Sequence, residues 1–258
     1  MRDRLNRYWR IFATALCFSL FGLGGLVIRC VIYPLLLVFT RDPESRQRAA
    51  QTVIHQSFRW FVALMNGVGV LSYEVRGLDR LQRQGLLVLA NHPSLIDVVF
   101  LISLIPHADC IVKAGLLRNP FTRGPIQAAG FICNSGGAEL VDDCMRSLSA
   151  GHNLIIFPEG TRTPLAGPVR LQRGAAHVAV KGRVDITPVH IHTSLPMLRK
   201  GVPWWQVPTH KPHFIFEVRE DIDIQEFCVA AGSESLAARQ VTDYLSEQLF
   251  RGPSRASA

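Results

Sequence analysis

Charge is sparse in this 258-residue chain, at 19% of residues, and acids are scarcest at its front, where the first 50 residues hold three against eight arginines. None of the six cysteines, at 17, 30, 110, 133, 144 and 228, belongs to a C-x-x-C pair or a regular spacing. That excludes a disulfide framework and a zinc ribbon, and leaves reduced thiols. RGG runs, aromatic-basic RNA motifs and helix-turn-helix signatures are missing too, so nucleic acid is not the partner expected for the net charge of +8. An anionic membrane face or a phosphate-bearing substrate is. There is no internal repeat, and with 48% hydrophobic residues the chain is neither disordered nor fibrous. Its length suits one fairly large domain with at most a short appendage.

From Ile11 to Ile28 no residue is charged, and Arg2, Arg4, Arg7, Arg10, Tyr8 and Trp9 precede the run. Such a helix is ~27 Å long, just short of the ~30 Å hydrocarbon core of a bilayer. The apolar character resumes from Val31 to Phe39, interrupted by Pro34, and stops at Arg41-Asp42-Pro43. A tilted crossing or a shallow re-entrant hairpin fits. A cleaved signal peptide fits less well, because no A-x-A-like site follows. A buried soluble helix would bear the cost of Gly22, Gly24 and Gly25. Arginines flank both ends, so the positive-inside bias fixes no orientation, and a monotopic anchor is slightly favoured.

Downstream, a helical stripe runs through Ala50, Ile54, Phe58, Phe61 and Met65 within residues 45–66. Seven short apolar runs follow, at 70–75, 86–90, 110–113, 130–133, 154–157, 186–191 and 214–218, with helices predicted at 95–105, 138–150, 169–181 and 234–250. This alternation predicts an α/β fold, a mostly parallel seven-stranded sheet covered by helices, preceded by a membrane-associated helical segment. The organisation expected is an anchoring segment over 1–68, an α/β domain over 69–250 and a disordered tail over 251–258.

Two constellations carry chemistry. In Asn91-His92-Pro93-Ser94-Leu95-Ile96-Asp97, Pro93 suits the start of a helix and Ser94 an N-cap, which puts His92 in the turn and Asp97 in the first helical turn. A carboxylate on Nδ1–H would fix the imidazole tautomer and leave Nε2 free to take a proton. Ser-x-x-Asp is also a capping box, and Asp97 can serve both purposes. The second constellation, Phe157-Pro158-Glu159-Gly160-Thr161-Arg162-Thr163, follows a strand, where ligands bind in α/β sheets, and its Arg162 offers a planar fork for phosphate.

In this order and about sixty residues apart, the two motifs resemble the glycerolipid acyltransferase family typified by 1-acylglycerol-3-phosphate (lysophosphatidic acid) acyltransferases. Lys113-x-x-Leu116-Leu117-x-x-Pro120-Phe121-x-x-Gly124 with Gly130-Phe131-Ile132 is similar to the family's second block, and Arg173-Gly174-Ala175 with Ile186-Thr187-Pro188-Val189 to its later ones. The resemblance covers about residues 70–195 and implies acyl transfer from an acyl carrier protein or coenzyme A thioester to a lysolipid hydroxyl, in phospholipid biosynthesis. It implies His92 as general base, Asp97 as its orienting partner, and an acceptor or phosphate site of Glu159, Gly160, Thr161, Arg162, Lys113 and Arg173. The thioester supplies the driving force, so neither metal nor cofactor is expected. The expected partners are membrane lipids and the thioester carrier, and the expected location is a bacterial-type inner membrane with the site on its cytoplasmic side.

The chain departs from the family at one place. Where the second block usually carries an arginine four residues after its isoleucine, Gly136 stands here. Arg118, Arg123 or Arg173 can substitute, or the acceptor differs. Other readings are a metal hydrolase built on His190-x-His192, thiol chemistry at Cys133, and a non-catalytic lipid-binding protein. Trp204 and Trp205, between Lys200 and Lys211, suit either a membrane-facing or a packed surface loop.

Overall fold

The structure, a computed structural model, describes residues 2–134, 138–164 and 167–250. The expected tail and Gly136 lie outside these residues. An apolar sequence forms helix α1 (Arg2–Val27), which continues through one π turn (Ile28–Ile32) into α2 (Tyr33–Phe39). Pro34 lies at the first turn of α2, where a missing N–H costs least. Over Asn6–Phe39 this helix is long and apolar enough to cross a membrane. It does not stand free of the body. Ala13, Cys17 and Ile28 are buried on one face, while Phe12, Leu16, Leu20, Leu23, Val27 and Val31 form an exposed row on the other.

The chain reverses where Asp42 Oδ2 accepts the Ser45 N–H at 2.7 Å, capping α3 (Pro43–Gly67), with Pro43 in the first turn. Phe21 of α1 packs on Phe61 and Phe58 of α3, with ring centroids 5.0 and 5.5 Å apart. The expected cost of the α1 glycines has a structural return. A Cβ on Gly25 would lie 2.1 Å from the Phe121 carbonyl oxygen, and one on Gly124 would lie 2.3 Å from Arg29 Cβ. The two glycines let α5 (Pro120–Ala129) lie against α1, at Gly25, and against the π turn that follows it, at Gly124.

All seven predicted strands are present: β1 (Ser72–Arg76), β2 (Leu87–Ala90), β3 (Ala108–Lys113), β4 (Ile132–Asn134), β5 (Asn153–Ile156), β6 (Ile186–Thr193) and β7 (His213–Val218). They form one sheet in the order β1-β7-β6-β2-β5-β3-β4, parallel throughout except for the antiparallel pair β6 and β7. The central β2 is buried on both faces, as its unbroken apolar sequence requires. Its side chains alternate: Val88 and Ala90 join the core beneath α1, α3 and α4 (Asp97–Leu104), and Leu87 and Leu89 join the core beneath α6 (Ala138–Ser149), α7 (Gly174–Gly182), α8 (Ile224–Ala231) and α9 (Glu234–Phe250). The N-terminal helices therefore share a core with the sheet.

Two helix starts fall later than the periodicity predicts. The helix expected from 169 begins at Gly174, because Gln172 N–H is committed to the Pro158 carbonyl at 2.7 Å. The one expected from 95 begins at Asp97, and Ser94 is not its N-cap residue; that position is held by Ile96. Ser94 instead builds the preceding turn, accepting from Ile96 N–H at 3.3 Å. Helices α5 and α8 had no counterpart in the periodicity.

Candidate active site

The two motifs leave the C-terminal ends of β2 and β5, neighbours at the centre of the sheet. Asn91 extends the β2–β6 pairing with its side chain, donating Nδ2–H to the Ile191 carbonyl at 2.8 Å and accepting Ile191 N–H at 2.6 Å. This clamp fixes the chain just before His92. From the other motif, buried Glu159 accepts the His92 backbone N–H at 2.7 Å and the Thr163 hydroxyl at 2.8 Å on the same oxygen, Oε1. Thr163 N–H closes the pair of loops on the His92 carbonyl at 2.7 Å. Glu159 thus ties the motifs together from within the protein, and its Oε2 is buried without a hydrogen-bond partner.

His92 Nδ1 lies 2.9 Å from Asp97 Oδ2, with the Asp97 side chain fully buried and that of His92 17% exposed. Asp97 also accepts Ser94 N–H at 2.6 Å and the Ser94 hydroxyl at 2.7 Å, so it completes the turn and orients the imidazole. Burial pushes the Asp97 carboxyl above the usual range, opposed by the bonds from His92 and Ser94. Glu159 is pushed up in the same way, against the bonds from His92 and Thr163. Phe157 stacks on the imidazole, ring centroids 4.2 Å apart and planes at 25°, and holds it from one side. The carboxylate on Nδ1 makes that nitrogen the donor and leaves Nε2 as the ring's acceptor, and His92 lines a cavity.

That cavity, of about 530 Å³, is lined by His92, Gly160, Thr161, Arg162, Lys113 and Lys200 among others, and among the described residues by no Asp or Glu. Gly160 adopts a left-handed conformation, φ 64°, at its edge. Arg162 is steered by one bond, Nη1–H to the Leu198 carbonyl at 2.8 Å. Three cations facing one space without an acid make it attractive to anions. Lys200 had no signal in the sequence motifs, because it comes from the distant β6–β7 loop. Arg173 sits exposed at the start of α7 and is not part of the wall. Val98, Val112 and Leu116 form a shared wall with a second cavity of about 430 Å³, almost wholly apolar, lined by Leu20, Phe21, Ile28, Phe58 and Phe61 among others.

His190 of the alternative metal pair lies 3.7 Å from Glu217, and among the described residues no group of three or more His, Cys, Asp or Glu is arranged to hold a metal ion. Cys133 lies on edge strand β4, off the cavity wall.

Residues 72–192 match the family model described as Acyltransferase. A 1-acyl-sn-glycerol-3-phosphate acyltransferase of Pseudomonas aeruginosa is 26% identical over 146 residues, 53% of this chain and 56% of that protein. A lyso-ornithine lipid O-acyltransferase of the same organism is 30% identical over 154 residues, 58% and 57% of the two chains. The chain spans little more than half the length of these relatives. The crystal structure of the 1-acyl-sn-glycerophosphate (LPA) acyltransferase PlsC from Thermotoga maritima superposes with a TM-score of 0.72 at 18% identity, over 99% of this chain and all of the other, so the two share a fold. Both chemical motifs and the strands from β1 to β6, short of the last residue of β6, fall in residues 72–192, the segment of this chain that is similar to the acyltransferase family.

Proposed function

We propose that the protein is a membrane-associated O-acyltransferase that moves a fatty acyl group from an acyl carrier protein or coenzyme A thioester to the hydroxyl of a lysophospholipid such as 1-acylglycerol 3-phosphate. One observation carries this reading: a carboxylate-backed imidazole lines a cavity that also holds three cationic side chains and adjoins an apolar one. His92 Nε2 takes the acceptor hydroxyl proton as the oxygen attacks the thioester carbonyl. Asp97 holds the tautomer and stabilises the imidazolium. The tetrahedral intermediate expels the thiolate, which recovers the proton from His92, so the residue ends as it began. Arg162, Lys113 and Lys200 hold the anionic headgroup, Gly160 and Thr161 shape its edge, and the apolar cavity takes an acyl chain. Breaking the thioester drives the transfer, and the chemistry calls for no metal or cofactor.

The buried face of α1 supports an anchor that lies against the body and sinks its exposed row into one leaflet, rather than a free crossing. On this reading the protein sits on a bacterial-type inner membrane with the cavity at the cytoplasmic surface. The lyso-ornithine lipid relative supports a second acceptor class on the same machinery. The test incubates detergent-solubilised protein with acyl-coenzyme A or acyl carrier protein thioesters and a panel of lysophosphatidate, lyso-ornithine lipid and neutral monoacylglycerol, reading products by mass. Acylation of an anionic lysolipid is the expected result. Failure with every acceptor, or equal rates with the neutral lipid, overturns the reading.

A further inference from the structure

The loop between β6 and β7, residues 194–212, is fastened at two places. Near its start, the Leu198 carbonyl accepts both Leu95 N–H at 3.1 Å and Arg162 Nη1–H, and Lys200 joins the cavity wall. Near its end, the buried guanidinium of Arg10 in α1 donates to the carbonyls of Pro208, at 3.2 Å, and Thr209. Between these points Trp204 and Trp205 stand 42% and 54% exposed, packed edge to face at 5.6 Å. Within one turn of Arg10, Tyr8 and Trp9 are also exposed, and the Trp9 indole N–H is held by the Val68 carbonyl at 3.0 Å. Arg10 therefore brings the loop to the end of α1 where its uncovered apolar row begins. Amphipathic rings at the end of such a row match the headgroup level of a bilayer, and exposed Lys200 and Lys211 in the same loop suit its anionic surface.

We propose that this loop is a second membrane-contact element, in which Trp204 and Trp205 enter the headgroup layer of an anionic bilayer at the level of Tyr8 and Trp9. The proposal rests on the one-leaflet reading of α1–α2. A loop tied to the cavity at Leu198 and to the anchor at Arg10 holds the cavity mouth at the lipid–water boundary, where the headgroup of a lysolipid lies.

The full chain carrying Trp9→Phe and Trp60→Phe keeps Trp204 and Trp205 as its only indoles. On phosphatidylcholine/phosphatidylglycerol vesicles with brominated acyl chains, its emission should shift to the blue and be quenched, more by bromine near the headgroup than by bromine near the chain end. Trp204→Ser/Trp205→Ser in the otherwise unaltered chain should weaken vesicle partition roughly tenfold or more. Its turnover of a water-soluble short-chain acceptor should not change. Vesicle-bound protein with unquenched emission overturns the role of the loop while leaving the anchor in place. Failure of the unaltered chain to bind vesicles overturns the anchor and the loop together. A blue-shifted emission in lipid-free detergent that reverts on dilution overturns the proposal in favour of a second copy of the chain.

Discussion

Two histidine–aspartate pairs stand at opposite ends of the same sheet. At the C-terminal ends of the strands, His92 Nδ1 meets Asp97 at 2.9 Å; at the N-terminal ends, His152 Nδ1 meets Asp109 at 3.1 Å. Both carboxylates are buried. The difference lies in what surrounds them. Asp97 is served by its own turn, through Ser94, and His92 lines a cavity. Asp109 gathers Gln51 Nε2 at 2.7 Å, Gln47 Nε2 at 3.4 Å and the Ser147 hydroxyl at 2.6 Å from two helices far apart in sequence, and His152 Nε2 is buried without a partner. The second pair joins α3, α6 and β3, and lines neither cavity. A histidine–carboxylate contact is thus not itself evidence of catalysis; the cavity and the strand end are what single out His92 as the candidate.

The sharpest way to break this contrast is to remove each imidazole. His92→Ala should lower kcat/KM by a factor of ~10²–10⁴ in protein that stays folded, as loss of a general base does, with a melting temperature lower by no more than the few degrees that one lost donor to buried Asp97 costs. Near-normal turnover by folded His92→Ala protein would dissolve the distinction. Next in size, Arg162→Ala should raise KM for the anionic acceptor by roughly 10- to 100-fold, the worth of a charged hydrogen bond, with KM for the donor little changed. Arg162→Lys should recover only part, because a point charge lacks the planar fork. Initial-rate kinetics in both substrates checks it, and equal effects on both KM values would move Arg162 out of the acceptor site.

His152→Ala differs in turnover: the rate per folded molecule should stay near that of the unaltered protein, while the melting temperature falls by several degrees. Asp109 loses one donor there, a cost of about 1–3 kcal/mol at about 2–4 °C each. Calorimetry with an activity assay on the same sample decides it, and a large loss of turnover at unchanged melting temperature would make the second pair functional.

The smallest effect concerns Glu159, whose carboxyl burial lifts above its usual range. A raised folded value adds stability below the unfolded value, ~4.3, and that stability is lost as pH rises through the folded value. Melting curves from about pH 4 to 7 should therefore favour Glu159→Gln over the unaltered protein increasingly as pH rises, and parallel curves would contradict the assignment.

The strands were legible because β2, β5 and β6 are short apolar runs in which both faces are covered. Helix α5 was not, because Gly and Pro at 124 and 125 break helical periodicity, while Gly124 is there for contact with Arg29 in the π turn and Asn119 caps the start by accepting Phe121 N–H at 2.9 Å. Of the site, the His92–Asp97 pair follows from local spacing. The Asn91 clamp on Ile191, the Glu159 tie to His92 and the approach of Lys200 span 67 residues or more, and local spacing cannot express them. Asp109 had no signal for the same reason, its side-chain partners lying 38 to 62 residues away.

The single antiparallel junction in the sheet has an engineering consequence. Because β7 runs back against β6, the chain leaves Thr193 and returns at His213 on the same rim, without a crossover helix. The intervening segment is fastened at Leu198 and at Pro208–Thr209, so its length can vary between those ties at slight entropic cost, since doubling a flexible stretch adds only about 0.6 kcal/mol. Exchanging residues 199–206, which include Lys200, for the corresponding segment of a relative is therefore a route to altering headgroup preference while His92, Asp97 and the seven-stranded scaffold stay untouched.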